Sequence, residues 1–206
     1  MTKRKGLMLV LSSPSGAGKT SIAKKILELD KNIRMSISYT TRPKRKSEKN
    51  GVDYFFVNKE KFTNLQSQGF FVEYASVFDH WYGTPKEFIE KNIEKGHDIL
   101  FDIDWQGSQK LSDFSKADVV SIFILPPSTK ILSERLKKRA EDSDFIMKKR
   151  MDKAQNEISH WIEYDYVLIN KDITNCTNEV MLILDAERKK RFRQKFIFEF
   201  VEKLIR

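Results

Sequence analysis

A short run of small residues between an apolar segment and a helical one constrains the fold of this chain most strongly. Residues 7–11 are all apolar and predict a buried strand, and residues 21–28 carry apolar side chains at helical spacing. Between a strand and a helix, the N–H groups of a small-residue turn and the helix N-terminus favour a bound anion. We therefore predict a cradle for the phosphates of a nucleotide, formed by Ser12-Ser13-Pro14-Ser15-Gly16-Ala17-Gly18-Lys19-Thr20.

Two side chains of this cradle have predicted roles of their own. We expect Lys19 to reach the β- and γ-phosphates of the nucleotide and Thr20 to offer its hydroxyl to Mg²⁺. The run departs from the P-loop pattern G-x-x-x-x-G-K-[ST] only at Ser13, which stands where the first glycine is expected. A side chain there strains the turn only at positive φ, so we predict a negative φ at residue 13. The alternative, a small-residue turn with a solvated lysine, fits the flanking strand and helix less well.

Length and composition limit the class of protein. With 206 residues and 40% hydrophobic content, the chain can build one sizeable core and a small additional lobe. Cys176 is the only cysteine, which excludes an internal disulfide, and no apolar run approaches the ~20 residues of a membrane span. We expect a cytoplasmic protein without a secretory signal. The formal net charge of +9 indicates anionic partners, among which charge alone does not choose.

Alternating apolar strands and helical segments predict an α/β fold with a doubly wound parallel sheet. A polar, basic loop and several aromatic segments interrupt this alternation and predict an inserted mixed α+β lobe, within which residues 79–84 are expected to form a turn. A polar stretch at 139–145 predicts a small helical lid. The predicted division is core at 1–35, inserted nucleotide-binding lobe at 36–86, core at 87–125, lid region at 126–155, and core with a C-terminal amphipathic helix at 156–206.

Two acidic residues end a predicted core strand at 99–104. Ligands of open α/β sheets bind at the carboxyl ends of the strands, so Asp102 and Asp104 are candidates for a site. A carboxylate there can hold Mg²⁺ beside Thr20, directly or through water. The alternative for either residue is to cap the following helix.

Phosphoryl transfer requires a second anion site, opposite the cradle. Ser38, Arg42, Arg45 and Tyr54 could form it, because a guanidinium binds phosphate through two parallel hydrogen bonds and a tyrosine adds a neutral donor. A solvated charged loop is the alternative, and composition alone does not decide between the two.

An isolated carboxylate interrupts the apolar strand predicted at 70–75. Glu73 either faces solvent or binds a pair of hydrogen-bond donors, because an unpaired buried carboxylate is costly. Guanine presents its N1–H and exocyclic amine side by side, which matches a carboxylate, whereas adenine has an acceptor at N1. Thr84 could add a hydroxyl contact to the base.

Three arginines lie around the predicted lid: Arg135, Arg139 and Arg150. Closing over a transferring phosphoryl group, arginines stabilise its charge and help to exclude water. The alternative is surface pairing with Glu134, Glu141 or Asp142.

The C-terminal segment combines a basic cluster at 188–191 with phenylalanines and a leucine four residues apart. This spacing predicts an amphipathic helix that packs on the core. The alternative is a nucleic-acid or membrane patch. The stripe consists of Phe192, Phe196, Phe200 and Leu204.

Together these motifs resemble the guanylate kinases of bacteria over essentially the whole chain. The resemblance rests on the cradle and on the stretches at 36–42, 51–57, 71–75, 81–84, 102–107 and 163–166. The family usually reads Arg-x-Pro-Arg where this chain has Arg42-Pro43-Lys44-Arg45.

The resemblance implies transfer of a phosphoryl group from ATP to GMP, and to dGMP, with Mg²⁺. It implies that Ser38, Arg42, Arg45, Tyr54 and Tyr82 bind the GMP phosphate, that Glu73, Thr84 and Asp104 read guanine, and that Lys19, Thr20, Arg135, Arg139 and Arg150 serve ATP and the transfer. Among these, the predicted catalytic group is Lys19, Arg42, Arg135, Arg139 and Arg150, and the predicted metal ligands are Thr20 and Asp102.

Two other classes of function stay open at this point. A non-catalytic interaction module of the same fold would not need Lys19, Thr20, Arg42 and Asp102, which are all present. A nucleic-acid-binding protein would use the positive charge. A homo-oligomer is also possible.

Overall fold

The computed structural model describes residues 4–46, 48–77, 79–139 and 144–206, with the side chains of 77, 138–139 and 144–150 outside that description. The strands are β1 (Met8–Ser12), β2 (Ile33–Met35), β3 (Tyr39–Thr40), β4 (Phe55–Phe56), β5 (Phe71–Val77), β6 (His80–Pro85), β7 (Asp98–Asp102), β8 (Val119–Leu125) and β9 (Tyr166–Ile169). The α-helices are α1 (Lys19–Leu29), α2 (Lys59–Ser67), α3 (Lys86–Glu94), α4 (Trp105–Ser115), α5 (Thr129–Arg139), α6 (Asp144–Ser159), α7 (Ile173–Arg188) and α8 (Lys195–Ile205).

The larger sheet has the order β2-β7-β1-β8-β9, and all its neighbouring strands are parallel. Successive side chains of β1 point to opposite faces. Leu9 and Leu11 enter one apolar layer with Ile22 of α1 and Val180 of α7. On the other face, Met8 and Val10 pack with residues of α3, α4 and β7, which are Ile89, Ile93, Phe101 and Leu111. Helices on both faces of a parallel sheet confirm the predicted doubly wound fold.

The smaller sheet has the order β4-β3-β6-β5 and is mixed, since β3 runs parallel to β4 and antiparallel to β6. Aromatic rings hold it together: Tyr39 stacks on Phe55 at 4.7 Å between ring centroids, and Phe71 stacks on Phe62 of α2 at the same distance. This sheet is built from residues 39–85. The precise bounds of the lobe, the core segments and the lid stay predictions.

Three parts of the secondary structure differ from the expectation. Residues 79–84 are not a turn: β6 pairs antiparallel with β5, and the chain reverses at Asp79, which adopts φ 63°. The strand β7 ends at Asp102, because Asp104 already caps α4. The helices α4 and α7 were not predicted, and α7 begins with the residues Thr174, Asn175 and Thr177, which favour helices weakly.

The prediction that the C-terminal helix packs on the core is wrong. The helix α8 forms, but none of its residues is buried, and Phe200 and Leu204 are more than half exposed. Phe192 lies before it, in a short 3₁₀ turn at Arg191–Arg193. A periodic apolar pattern fixes which side of a helix is apolar, but it does not specify what covers that side. Among the described residues, no helix combines the length and apolar content needed to cross a membrane.

Candidate active site

The predicted cradle lies between β1 and α1, at the carboxyl end of a central strand. Gly16 and Gly18 adopt φ 89° and 102°, in the region where an L side chain is strained. Gly18 is the residue that precedes α1. Ser13 does not adopt a positive φ, because Asp79 is the only described non-glycine residue that does. The expectation for Ser13 is therefore confirmed, and a serine in place of the first glycine does not strain this turn.

Asn170 holds the cradle from the end of β9. Its side-chain Nδ2 donates a hydrogen bond of 2.6 Å to the carbonyl oxygen of Ala17, and the residue is fully buried. A Cβ at Gly18 would lie 2.4 Å from that nitrogen, so the loop needs glycine there for space as well as for φ. Sequence reasoning missed Asn170. Its only signal is a polar residue directly after an apolar strand, a common site of functional residues.

Asp102 contacts the side chains of Lys19 and Thr20, the two residues that follow Gly18. Its Oδ1 lies 2.7 Å from Nζ of Lys19, and its Oδ2 accepts a hydrogen bond of 3.1 Å from Oγ1 of Thr20. Nζ of Lys19 also donates to the carbonyl of Ile103 at 3.1 Å. These contacts form because β7 lies directly beside β1 in the sheet, with Leu11 opposite Asp102. Lysine, hydroxyl and carboxylate therefore meet at the mouth of the cradle.

Asp104 takes the capping position that was the alternative for it. Its Oδ1 accepts a hydrogen bond of 3.1 Å from the backbone N–H of Gly107, at the start of α4. The strand predicted at 99–104 therefore ends earlier than expected, with Asp102 as its last residue and Asp104 outside it. Burial is the main reason that the pKa of Glu73 is raised, and the negative charge of Asp104 adds to that rise.

Glu73 and Thr84 form a buried polar pair on neighbouring strands, β5 and β6. Oγ1 of Thr84 donates a hydrogen bond of 2.7 Å to Oε1 of Glu73, and the two residues are 0% and 4% exposed. Burial raises the pKa of Glu73, while the hydrogen bond from Thr84 and the charge of Lys110 oppose that rise. The carboxylate is thus on the inner side of the lobe.

Glu48 organises the basic loop of the smaller sheet. Its Oε1 lies 2.6 Å from Nη2 of Arg42, and its Oε2 accepts a hydrogen bond of 2.8 Å from the backbone N–H of Arg45. The hydrogen bond with Glu48 is the main reason that the pKa of Arg42 is raised. The guanidinium of Arg42 also lies over the ring of Tyr54, 5.4 Å from its centroid. Glu48 was missed, although it is the only acid between residues 40 and 51.

Two tyrosines extend this cluster toward the cradle. The rings of Tyr54 and Tyr82 meet edge to face, 5.8 Å apart. The pKa of Tyr54 is raised by burial and, next, by the negative charge of Asp102, which belongs to the core sheet. Ser38 lies next to the strand that follows Tyr54, since its carbonyl accepts a hydrogen bond of 2.9 Å from the backbone N–H of Phe55. Asp102, at the mouth of the cradle, is therefore close enough to Tyr54 for its charge to act on the phenol.

The helices after β8 contribute to the cradle from its other side. Nη1 of Arg135, in α5, donates a hydrogen bond of 3.3 Å to the carbonyl of Ala17. Oε2 of Glu157, in α6, accepts one of 3.1 Å from the backbone N–H of Ser15, a contact that sequence reasoning missed. Arg139 ends α5 and Arg150 lies within α6, but both side chains fall outside the described part of the structure.

Comparison with known proteins identifies the family. A family model described as guanylate kinase matches residues 5–187 of this chain. The chain belongs to the guanylate kinase family.

Relatives of this guanylate kinase extend over its whole length. The guanylate kinase of Novosphingobium aromaticivorans is 52% identical over 203 residues, which are 98% of this chain and 92% of that protein. The guanylate kinase of Paramagnetospirillum magneticum is 51% identical over 201 residues, 98% of this chain and 94% of that one. A crystal structure of guanylate kinase from Anaplasma phagocytophilum superposes with a TM-score of 0.81 at 42% identity, covering 98% of this chain and 96% of that one. The predicted fold and the predicted class of enzyme, a kinase, are therefore confirmed.

The basic cluster of this guanylate kinase is partly turned inward. Arg188 pairs with Asp30 and Asp98 at 2.6 Å each, and Lys190 pairs with Glu187 at 2.7 Å. Two of the four cationic side chains at 188–191 are thus engaged in intramolecular ion pairs. This arrangement weakens the nucleic-acid alternative, which needs the cluster to face solvent.

Proposed function

We propose that this guanylate kinase transfers the γ-phosphoryl group of ATP to GMP, giving ADP and GDP. The observation that carries the proposal is the buried pair of Glu73 and Thr84 in a lobe that faces a phosphate cradle. The cradle supplies a donor site, and the lobe supplies an acceptor site with a base-reading carboxylate.

Glu73 is proposed to read guanine. A buried carboxylate is costly unless donors satisfy it, and Thr84 supplies only one hydrogen bond to Oε1. The N1–H and the exocyclic amine of guanine would donate two more hydrogen bonds to the carboxylate in a single plane, whereas the acceptor N1 of adenine would repel the carboxylate. Asp104, whose charge already acts on Glu73, is proposed as a further acceptor. These contacts leave the ribose 2′-hydroxyl unused, so we propose dGMP as an acceptor too.

The phosphate of GMP is proposed to lie among the basic and aromatic side chains of the lobe. Arg42 is already oriented by Glu48, which lowers the entropy lost when its guanidinium binds phosphate. The tyrosine hydroxyls add neutral donors. Their combined effect is to aim one phosphate oxygen at the donor. The residues proposed for this site are Ser38, Arg42, Arg45, Tyr54 and Tyr82.

ATP is proposed to place its phosphates on the N–H groups of residues 13–20, with Lys19 moving from Asp102 to the phosphates. Thr20 and Asp102 fit a divalent cation, because they bring two hard oxygen atoms to within 3.1 Å of each other at the mouth of the cradle. Mg²⁺ takes few protein ligands and keeps waters and substrate phosphates as the others. When bound there, it would offset phosphate charge.

The transfer itself needs no covalent intermediate on the protein. The oxygen of the GMP phosphate attacks the γ-phosphorus in line, and ADP leaves from the opposite side. Arg135, which already contacts the cradle, is proposed to stabilise the charge that spreads over the equatorial oxygens. Arg139 and Arg150 are proposed to join it from the same helical pair.

A nucleotide panel tests this proposal. In a coupled assay with ATP, we expect turnover of GMP and dGMP and little turnover of AMP, CMP or UMP. Glu73→Gln should lower kcat/KM for GMP by roughly 100-fold or more, because a site built for hydrogen-bond donors loses its charged acceptor, and should leave the KM of ATP unchanged. Glu60→Gln, an exposed change in α2 of the same lobe, is the control. Equal turnover of AMP and GMP would contradict the guanine assignment.

A further inference from the structure

Lys110 lies on a helix that contacts both sheets, since α4 packs against β1 and β8 of the larger sheet and against β5 of the smaller one. Its Nζ donates a hydrogen bond to the carbonyl oxygen of Tyr74 in β5. The same Nζ lies 4.7 Å from the centroid of the Tyr74 ring, a distance at which an aromatic face attracts a cation. Tyr74 directly follows Glu73, the carboxylate proposed to read guanine. One side chain of α4 therefore binds the strand that carries this carboxylate.

Gly107 brings the backbone of the same helix close to the carboxylate. A Cβ at Gly107 would lie 3.5 Å from Oε2 of Glu73. Gly107 is the third residue of α4, and the first turn of a helix favours negative charge. Lys110 follows Gly107 by three residues, so the two share one face of the helix. This face therefore turns both the start of a helix and a cation toward β5.

Among the described residues, three polar groups act on the charge of Glu73. Thr84 of β6 donates the 2.7 Å hydrogen bond to Oε1. The other two belong to α4 and its cap, and they are Lys110, which is positive, and Asp104, which is negative. Burial raises the pKa of Glu73 above its ordinary value, and Asp104 adds to this rise. Thr84 and Lys110 oppose it, and Lys110 is the only cation of the three.

The protonation state of this carboxyl determines which base it matches. An ionised carboxylate offers two acceptors, which fit the N1–H and the exocyclic amine of guanine. A protonated carboxyl offers one donor and one acceptor, which fit N1 and the exocyclic amine of adenine. A site that reads guanine therefore has to keep Glu73 ionised, although the residue is only 4% exposed.

We propose that Lys110 is a positioning residue that determines the specificity of the acceptor site, because it fixes β5 against α4 and keeps the negative charge on Glu73. This inference rests on the proposed function, in which Glu73 reads guanine. Lys110 acts through Glu73 rather than through contact with the base. Its hydrogen bond to the carbonyl of Tyr74 holds the ammonium group near the carboxylate, and burial of Glu73 limits the screening of their attraction by salt.

Substitution of Lys110 in the full chain tests this proposal. Lys110→Met nearly keeps the length of the side chain but removes its charge and its hydrogen bond. The KM of GMP should rise at least about fivefold and the ratio of kcat/KM for GMP to that for AMP should fall, since the acceptor site loses part of its charged character. The KM of ATP should not change. The acid limb of the pH profile of kcat/KM for GMP should move to higher pH, because Glu73 loses the cation that favours its ionised form.

Two further variants serve as controls. Lys110→Arg keeps the positive charge and should show the acid limb of the wild type. Lys116→Met removes an exposed lysine at the C-terminal end of the same helix and should leave the KM of GMP and the pH profile unchanged. The phosphate of GMP titrates in the same way for every variant, so a difference between their acid limbs belongs to the protein. Circular dichroism and the thermal midpoint should show that each variant is folded.

The outcomes separate this inference from the proposed function. If the wild type prefers GMP but Lys110→Met keeps the KM of GMP and the acid limb of the wild type, the role of Lys110 is overturned and the proposed function stands. Equal losses in Lys110→Met and Lys110→Arg with an unchanged acid limb would also overturn it, since Lys110 would then only stabilise the fold. A wild type that turns over AMP as readily as GMP would contradict the proposed function itself, and this inference with it.

Discussion

Oε2 of Glu157 accepts a hydrogen bond of 3.1 Å from the backbone N–H of Ser15, within the phosphate cradle. The carboxylate of Glu157 thus occupies a backbone N–H donor that we propose to bind a phosphate of ATP. The two anions compete for the same donor and repel each other. Binding of ATP therefore has to include the release of this carboxylate.

We expect Glu157→Gln to bind ATP about fivefold more tightly, because glutamine keeps only a neutral hydrogen bond to this N–H and lacks the negative charge, a difference of roughly 1 kcal/mol. Titration calorimetry with ATP and Mg²⁺ in the absence of GMP measures this directly. Glu179→Gln, an exposed change in α7, should leave ATP affinity unaltered. Equal or weaker ATP binding by Glu157→Gln would show that the carboxylate does not oppose the nucleotide.

Glu48 provides a second prediction, because it fixes the side chain of Arg42 through a 2.6 Å ion pair in which both side chains are less than 15% exposed. Glu48→Gln should weaken this contact and cost about 1.5–3 kcal/mol of GMP binding, which is a rise of roughly 10- to 150-fold in the KM of GMP. The KM of ATP should not change. Steady-state kinetics of Glu48→Gln and of the control Glu60→Gln would separate a positioning role from a general loss of stability, which would affect both substrates.

The raised pKa of Glu73 predicts a pH-dependent gain of stability on Glu73→Gln. Burial raises the pKa of this carboxyl above its ordinary value of 4.5, so the folded state holds its proton to higher pH than the unfolded state does. Below pH 4.5 the carboxyl is neutral in both states. As the pH rises through the folded-state pKa, the wild type must bury a charge and loses stability, whereas glutamine does not.

The free energy of unfolding of Glu73→Gln should therefore exceed that of the wild type at neutral pH by about 1.4 kcal/mol for each unit of pKa difference. The excess should shrink as the pH falls toward 4.5. Urea denaturation at several pH values measures it, with Glu60→Gln expected to show no such trend. A constant difference across the pH range would mean that burial of the charge is not the cause.

The sequence predicted those parts of the fold that depend on local pattern. Continuous apolar runs identified β1 and β8, and the glycines with Lys19 located the cradle, because these signals lie within a few residues of each other. Contacts between distant residues were missed. Asn170 reaches Ala17 across 153 positions and Glu157 reaches Ser15 across 142, and no spacing rule connects such pairs. They exist because the sheet brings β9 and α6 to the same end as β1.

The errors in the prediction have physical causes as well. Residues 79–84 were expected to turn because Gly83 and Asp79 are frequent in turns, but pairing with β5 outweighs that local preference. Whether α8 packs on the core depends on whether the sheet has a face that other helices leave uncovered. Helices α1 and α7 cover one face of the sheet and α3 and α4 cover the other, so the apolar side of α8 is exposed.

The last prediction concerns a buried ion network around Asp98, which pairs with Arg4 near the start of the chain and with Arg188 at the end of α7. Asp98 is 0% exposed; its two carboxylate oxygens each lie 2.6 Å from a different nitrogen of Arg4, and Oδ2 also lies 2.6 Å from Nη2 of Arg188. Oδ1 accepts a further hydrogen bond of 3.0 Å from the backbone N–H of Leu7. Asp98 therefore balances two guanidinium groups where water does not reach it.

Asp98→Asn should lower the free energy of unfolding by about 3–5 kcal/mol, because it leaves two partly buried arginines without their shared counter-charge. Asp185→Asn is a matched control: Asp185 pairs with the same Arg188 at 3.6 Å, but its side chain is 62% exposed, so its removal should cost less than about 1 kcal/mol. Urea denaturation at pH 7 compares the two variants with the wild type. Similar losses in both would mean that the charge of Arg188, rather than the burial of Asp98, determines the stability of this network.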